Sequence, residues 1–214
     1  MDERFSMTHD VIAVTQLVLH ERQGRDREWW DAMHESYAPD SVVRLSWFRG
    51  SGPEFVAQSQ RMAGRGDRAI HRLGPPIVDV HGERALVELP AVIEVTTELD
   101  DVETVLASCA RLLYRAVKTA GEWRIVSLDP VYERDTLTPA VPGSDVRVDM
   151  EELKRYRVPY RFLAYVLRHR GYDVGDDLYG DDRPDEVVRL YGEAHLWLNP
   201  SARTPWGTAA GVVR

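Results

Sequence analysis

Four extended runs joined by short turns constrain this chain more than any other feature. Residues 69–80, 85–97, 102–118 and 123–128 are rich in β-branched and alternating apolar side chains, and His81-Gly82-Glu83-Arg84, Asp100-Asp101 and Ala120-Gly121-Glu122 punctuate them. Turns this short join antiparallel neighbours, because parallel strands need a long crossover. The spacing predicts a meander of four strands, closed by Trp123-Arg124-Ile125-Val126-Ser127-Leu128. The 102–118 run is long for a strand.

A one-sided sheet must bury its apolar face, and the preceding residues supply helices for that. From Thr8 onward Val11, Ile12, Val14, Leu17, Val18 and Leu19 share a broad helical face, with Thr8 and Asp10 placed to cap its start and Gly24 to end it. Trp29, Trp30, Met33 and Tyr37 then recur at three- and four-residue spacing, which predicts a second helix with one buried stripe. Ala38-Pro39-Asp40 stops it. Residues 41–48 read as a strand with Val43, Leu45 and Trp47 on one face. Gly50-Ser51-Gly52-Pro53 turns the chain into a third helix whose inner side is Phe55, Val56, Ser59 and Met62. The expected fold class is α+β: a cone-shaped, curved antiparallel sheet wrapped around the N-terminal helices, with a conical cavity between them.

Thr138-Pro139-Ala140-Val141-Pro142-Gly143 interrupts both periodicities and divides the chain into a cone-shaped domain at 1–139 and a helical extension and tail at 140–214. In the extension Tyr160, Leu163, Ala164 and Leu167 make one stripe that Gly171 ends, and Val187, Leu190, Tyr191, Ala194 and Leu198 make another. The acidic run 173–182 lacks the glycine and terminal glutamate of a helix–loop–helix calcium site, so it reads as a solvated loop with helix-capping acids rather than a metal site. The Ser-, Thr-, Gly- and Ala-rich segment after Pro200 reads as loose or partner-dependent.

Composition narrows the function classes. A net charge of -8, with 43% hydrophobic and 29% charged residues, fits a soluble globular chain and offers no basic face for nucleic-acid phosphates. The single cysteine, Cys109, allows neither an intramolecular disulfide nor a cysteine-rich zinc site and, beside Ala107, Ser108 and Ala110, reads as a small buried strand residue. There is no leader-like N-terminus and no apolar run long enough to cross a bilayer, so the expectation is a cytoplasmic protein without a membrane partner. No phosphate loop, dinucleotide fingerprint, nucleophile elbow or pair of zinc histidines is present, and no cofactor is implied.

The stretch Arg22-Gln23-Gly24-Arg25-Asp26-Arg27-Glu28-Trp29-Trp30 places one carboxylate among arginines ahead of two indoles. Asp26 reads either as a helix N-cap or solvated turn residue, or as an acid on the floor of a pocket. Arg25 and Arg27 are placed to hold it outward in an ion pair; His71 is the residue that would draw it inward. Histidine serves as a general base near neutral pH with little adjustment, and a buried carboxylate accepting its ring N–H fixes the tautomer and stabilises the imidazolium. The plainer reading of His71 is a rim or core histidine bonded to backbone. His9, His20, His34, His81, His169 and His195 sit on helices or in a turn and are weaker candidates. Around such a dyad the candidate substrate-pocket walls are Trp30, Trp47, Ser108, Tyr114 and Tyr132, although aromatics are more often core. Strand parity puts Arg111 on the face opposite Ser108 and Tyr114, as an exposed or interface residue.

Four ordered segments carry a family resemblance: Asp26-Arg27-Glu28-Trp29-Trp30-Asp31-Ala32-Met33, Tyr37-Ala38-Pro39-Asp40-Ser41-Val42-Val43, Ile70-His71-Arg72-Leu73-Gly74 and Gly121-Glu122-Trp123-Arg124-Ile125. In order and spacing they resemble the SnoaL-like branch of the nuclear-transport-factor-2-like superfamily, over residues 8–137. The resemblance implies a cone-shaped sheet and helices around a deep pocket. In the scytalone dehydratase and dehydrochlorinase branches an Asp before the second helix and a His entering the following strand form an acid–base dyad, and the matching positions are Asp26 and His71. Ser108 stands where the dehydratase has a second histidine, and Glu21 and Arg25 stand where many relatives are more apolar. The expected function is a cofactor-independent lyase or isomerase, dehydratase- or cyclase-like, acting on a small apolar carbonyl or hydroxylated compound. The alternative is a non-catalytic small-molecule-binding, accessory or scaffold domain of the same fold. A homodimer is a further implication of the resemblance.

Overall fold

The computed structural model describes residues 3–201. The segment after Pro200 therefore lies, except for Ser201, outside the described residues. In chain order the elements are α1 Glu3–Arg27, α2 Trp30–Glu35, β1 Tyr37–Arg44, β2 Arg49–Gly50, α3 Gly52–Gly64, β3 Ile70–Leu73, β4 Ile77–His81, β5 Arg84–Leu99, β6 Val102–Thr119 and β7 Glu122–Pro139. Then come α4 Met150–Leu153, a single 3-10 turn Val158–Tyr160, α5 Arg161–His169, β8 Tyr179–Gly180 and α6 Pro184–Leu198.

The strands form one eight-stranded sheet in the order β2-β1-β7-β6-β5-β3, with β4 also on β5 and β8 on β7. It is antiparallel through the meander and becomes mixed where β1 and β8 join β7 in parallel. The closing strand runs well past Leu128, to Pro139, because two register shifts bend it around the cone. Arg115 pairs with Ser127 while Ala116 pairs with Ile125, and Cys109 pairs with Arg134 while Ala110 pairs with Tyr132, so Val126 and Glu133 are extra residues on β7. Each bulge adds local twist and switches which parity faces inward.

Helix α1 crosses one half of the concave face, where Val14 and Val18 pack with Leu112, Tyr114, Ala116 and Ile125. Helix α5 covers the other half, where Leu163, Ala164 and Leu167 meet Leu106, Ala110 and Tyr132. On the convex face α6 lays Leu190, Ala194 and Leu198 over Leu86, Leu113 and Val131. Fully burying each such aliphatic side chain is worth about 1.5–3 kcal/mol, so both late helices have a physical reason to dock.

Several local expectations are corrected. Helix α1 does not stop at Gly24: it runs to Arg27, and Glu28 in the left-handed region (φ 61°) closes it while Trp29 N–H donates to Gly24 O at 2.8 Å. That is a Schellman closure with a glutamate in the position glycine usually holds. Gly24 serves close packing instead, since a Cβ there would sit 3.1 Å from Met33 Cβ. Thr8 and Asp10 lie inside α1 rather than at its cap, and Asp10 takes Lys118 Nζ at 2.6 Å and Trp123 Nε1 at 3.0 Å. Trp29, expected in a buried stripe, is exposed, because it precedes α2 rather than belonging to it.

The first strand is earlier than its sequence suggests. Pro39 sits inside β1, at a register irregularity between Tyr37 and Val42 that leaves room for a residue without an N–H. Leu45 N–H closes a tight turn onto Phe48 O at 2.7 Å. Residues 69–80, expected as one strand, divide into β3 and β4 around Gly74-Pro75-Pro76. Cys109 is half-buried rather than buried. In the acidic loop Asp177 pairs with Arg49 and Asp182 with Arg157.

Asp135, on the concave side of β7, accepts Leu163 N–H at 2.8 Å while its Oδ1 is buried without a partner. Burial pushes this carboxyl up to about 7. The folded state therefore binds the proton more tightly than the unfolded chain, so this group's contribution to stability falls as pH rises from about 4 to about 7. Asp135→Asn is expected to flatten urea-unfolding free energies across that window, relative to the native protein, by up to about 4 kcal/mol. An unchanged slope would show that Asp135 titrates normally.

Candidate active site

Asp26 lies in the last turn of α1, between Arg25 and Arg27, where the helix dipole disfavours an acid. Two N–H groups of one residue hold it there. Asp26 Oδ1 lies 2.6 Å from His71 Nδ1, and Asp26 Oδ2 accepts the His71 backbone N–H at 2.8 Å. Asp26 is thus neither an N-cap nor turned outward, and His71 engages both its oxygens, fastening the end of α1 to the start of β3. Burial works against the Asp26 charge, but the ring and backbone bonds from His71 hold its carboxyl below the usual range.

The same contact fixes the imidazole. With Nδ1–H donating to the Asp26 carboxylate, Nε2 carries the lone pair. Its neighbour is Arg22, whose Nη1 lies 3.4 Å away. Burial lowers the His71 pKa most, the Asp26 bond opposes that, and the Arg22 charge lowers it further, leaving it below the ordinary histidine value. The downward shift favours the neutral ring.

Behind Arg22 stands a buried charge cluster. Glu21, fully buried, takes Arg22 Nε at 2.5 Å and Nη2 in a fork, and accepts Tyr37 Oη–H at 2.8 Å and Tyr114 Oη–H at 3.2 Å. Burial opposes the Arg22 charge, but Glu21 holds the guanidinium firmly protonated. Burial, with Glu21 beside them, raises both tyrosine hydroxyls well above their usual range.

His71, Arg22 and Arg25 face a cavity of about 60 Å³. A single water needs about 10–15 Å³ of such space, so there is room for a small organic molecule. Its walls include Trp47, Phe55, Ile93, Leu112, Tyr132 and Leu163. Of the candidate pocket residues, Trp47 and Tyr132 line this space. Trp30, Ser108 and Tyr114 are not among its lining residues: Trp30 packs at the edge of the α1 core, Ser108 is fully buried with an unbonded Oγ, and Tyr114 is spent on Glu21. Arg111 lies off the cavity, as its parity requires, bonded to Glu88 at 2.5 Å and Glu133 at 2.6 Å.

Sequence reasoning missed Arg22 and Arg25 as cavity-side residues and Glu21 as the buried acid behind them. A signal existed: Val14, Val18, Glu21, Arg22 and Arg25 continue one buried helical stripe at three- and four-residue steps. Charges on such a stripe are rare unless paired or functional. Leu163 and Leu167, contributed by α5 from beyond the proline-rich break, carried no such signal.

The family described as SnoaL-like domain matches residues 6–129. A PEP2-like protein of Fusarium vanettenii is 30% identical over 185 residues, covering 81% of this chain and 79% of that one. Pea pathogenicity protein 2 of the same organism is 28% identical over 199 residues, covering 88% and 85%. Among solved structures, a hexachlorocyclohexane dehydrochlorinase shares the fold with a TM-score of 0.54 at 11% identity, over 69% of this chain and 99% of that one.

Proposed function

The chain belongs to the SnoaL-like domain family, and from that premise we propose that it is a cofactor-independent lyase or isomerase acting on a small carbonyl or hydroxylated compound. The observation that carries this reading is the 2.6 Å contact of His71 Nδ1 with Asp26 beside an apolar cavity. His71 Nε2 takes a proton from the carbon next to a carbonyl, and the bonding pair moves onto the carbonyl oxygen as an enolate. Asp26 keeps the Nδ1 proton in place and stabilises the imidazolium. The pair then returns to expel a β-hydroxyl, which takes the proton from His71 Nε2 and leaves as water, giving dehydration, or takes that proton back at another carbon, giving isomerisation. Leu163 and Leu167 close the cavity, so the extension at 140–214 acts in this reading as its cover.

Deuterium exchange tests the proposal. The native protein in D2O is expected to exchange or eliminate the α-hydrogen of members of a panel of small ketones and β-hydroxyketones, neutral and carboxylated, followed by proton NMR, and His71→Gln is expected not to. A second reading, ligand binding without turnover, draws on the Arg22 guanidinium 3.4 Å from the His71 lone pair; panel compounds held by the native protein but never exchanged would establish it in place of the first. A cytoplasmic homodimer is part of the proposal, and light scattering of the purified chain at twice its 24.4 kDa mass is the expected result. Among the described residues no helix is long and apolar enough to cross a membrane.

A further inference from the structure

Among the charged groups at the cavity, Arg25 has no ionic partner within the described residues. It is 5% exposed and lines the cavity together with His71. Among the described residues its hydrogen bond to a side chain is from Nη2 to Met62 Sδ, at 3.2 Å. A thioether is a weak acceptor. No carboxylate oxygen lies within 4.0 Å of its guanidinium among the described residues, since Glu21 is forked onto Arg22 and Asp26 is held at both oxygens by His71. Burying an arginine that way is costly, and a protein keeps such a group where a ligand completes it. The strain is visible in its acidity: burial, and then the Arg22 charge, push the guanidinium down to about 10.

We propose that Arg25 is the anchor for an anionic ligand, and that the small molecule held against His71 is a carboxylate with an apolar body. Arginine's planar fork matches a carboxylate through two parallel N–H donors. The rest of the wall is apolar, from Trp47, Phe55, Ile93 and Leu163. The proposal rests on the reading above for the position of the reacting carbon, and it names the substrate class of that site: a keto acid or hydroxy acid rather than a neutral ketone. Arg25 makes no bond to Asp26 or His71, so it binds the ligand and leaves the dyad's geometry to α1 and β3.

Matched probes of equal shape and different charge test it. Benzoate and isobutyrate, set against benzamide and isobutyramide, are titrated by calorimetry into the native protein, Arg25→Gln and Arg25→Lys. The expected result is about tenfold or tighter binding of each acid over its amide by the native protein. That preference should be lost in Arg25→Gln and partly kept in Arg25→Lys. The His71 ring, followed by nitrogen NMR, is expected to titrate at higher pH with benzoate bound, because an anion in the cavity favours the imidazolium; Arg25→Gln should abolish that change. Equal affinity for acid and amide, no binding of either acid, or an acid preference undiminished in Arg25→Gln would each overturn the proposal. None of these readouts needs turnover, so a failed exchange experiment with intact benzoate binding would remove the dyad mechanism and leave Arg25 in its role.

Discussion

His71→Gln is expected to reduce turnover about 10²–10⁴-fold, and Asp26→Asn nearly as much, with both proteins still folded. Glutamine has no lone pair of useful basicity at the Nε2 position, so the first variant removes the base itself. The second is more instructive because the shape barely changes. The carbonyl oxygen of the introduced asparagine would still accept the His71 backbone N–H now bound by Asp26 Oδ2 at 2.8 Å. Its amide nitrogen would then face Nδ1 with a donor, favouring the tautomer that carries its proton on Nε2. The ring would present a hydrogen where a lone pair is needed, and the imidazolium would lose its counter-charge.

The pH profile separates these effects. The native His71 pKa lies below the ordinary 6.5, through burial first and Arg22 after it. The base is the neutral form, so kcat/KM is expected to rise with pH through that lowered pKa and to be flat above it. In stability the sign is the same: the folded state holds the proton less tightly than the unfolded chain, so protonation costs stability as pH falls below about 6.5. A variant at Asp26 with unchanged kcat/KM at all pH values would sink the dyad.

Glu21→Gln is expected to destabilise the fold by about 3–5 kcal/mol in urea unfolding, because it leaves the Arg22 charge buried without its counter-ion. Arg22 is 2% exposed and Glu21 fully buried, so water cannot take the place of the lost carboxylate. Gln would keep one acceptor oxygen where Glu21 offers Oε1 to the Tyr37 hydroxyl and Oε2 to the Tyr114 hydroxyl, so the loss combines the charge with one of these two hydrogen bonds. The double variant Glu21→Gln/Arg22→Met is expected to recover much of the loss, since an apolar side chain of similar reach carries no charge to compensate. A single variant as stable as the native protein would mean the pair does not hold the charge it is drawn with.

The legible parts of this chain were those governed by local periodicity. The turns at Gly82 and Gly121 and the alternation along β5 and β6 announced the meander. The three- and four-residue stripes of α5 and α6 marked which residues they bury. What periodicity could not supply was parity along β7, because bulges at Val126 and Glu133 each add a residue that pairs with nothing. Nor could it end α1, since a left-handed Glu28 is the less common way to close a helix. Of the five residues proposed as pocket walls, Trp47 and Tyr132 line the cavity.

The sequence by itself determined the α+β class and the succession of early helices and antiparallel meander, and it offered Asp26 and His71, by residue type, as a candidate acid and base. Those follow from side-chain spacing and side-chain type, which a linear chain carries in full. Only the tertiary structure decided that Asp26 turns to His71 rather than to the arginines on either side, that Glu21 neutralises Arg22, and that Arg25 is left without an anion among the described residues. Those outcomes depend on which charges are brought together away from water. Helix α1, strand β3 and the distant helix α5 must all pack on one concave face before any of these groups is desolvated, and desolvation is what turns neighbouring charges into partners.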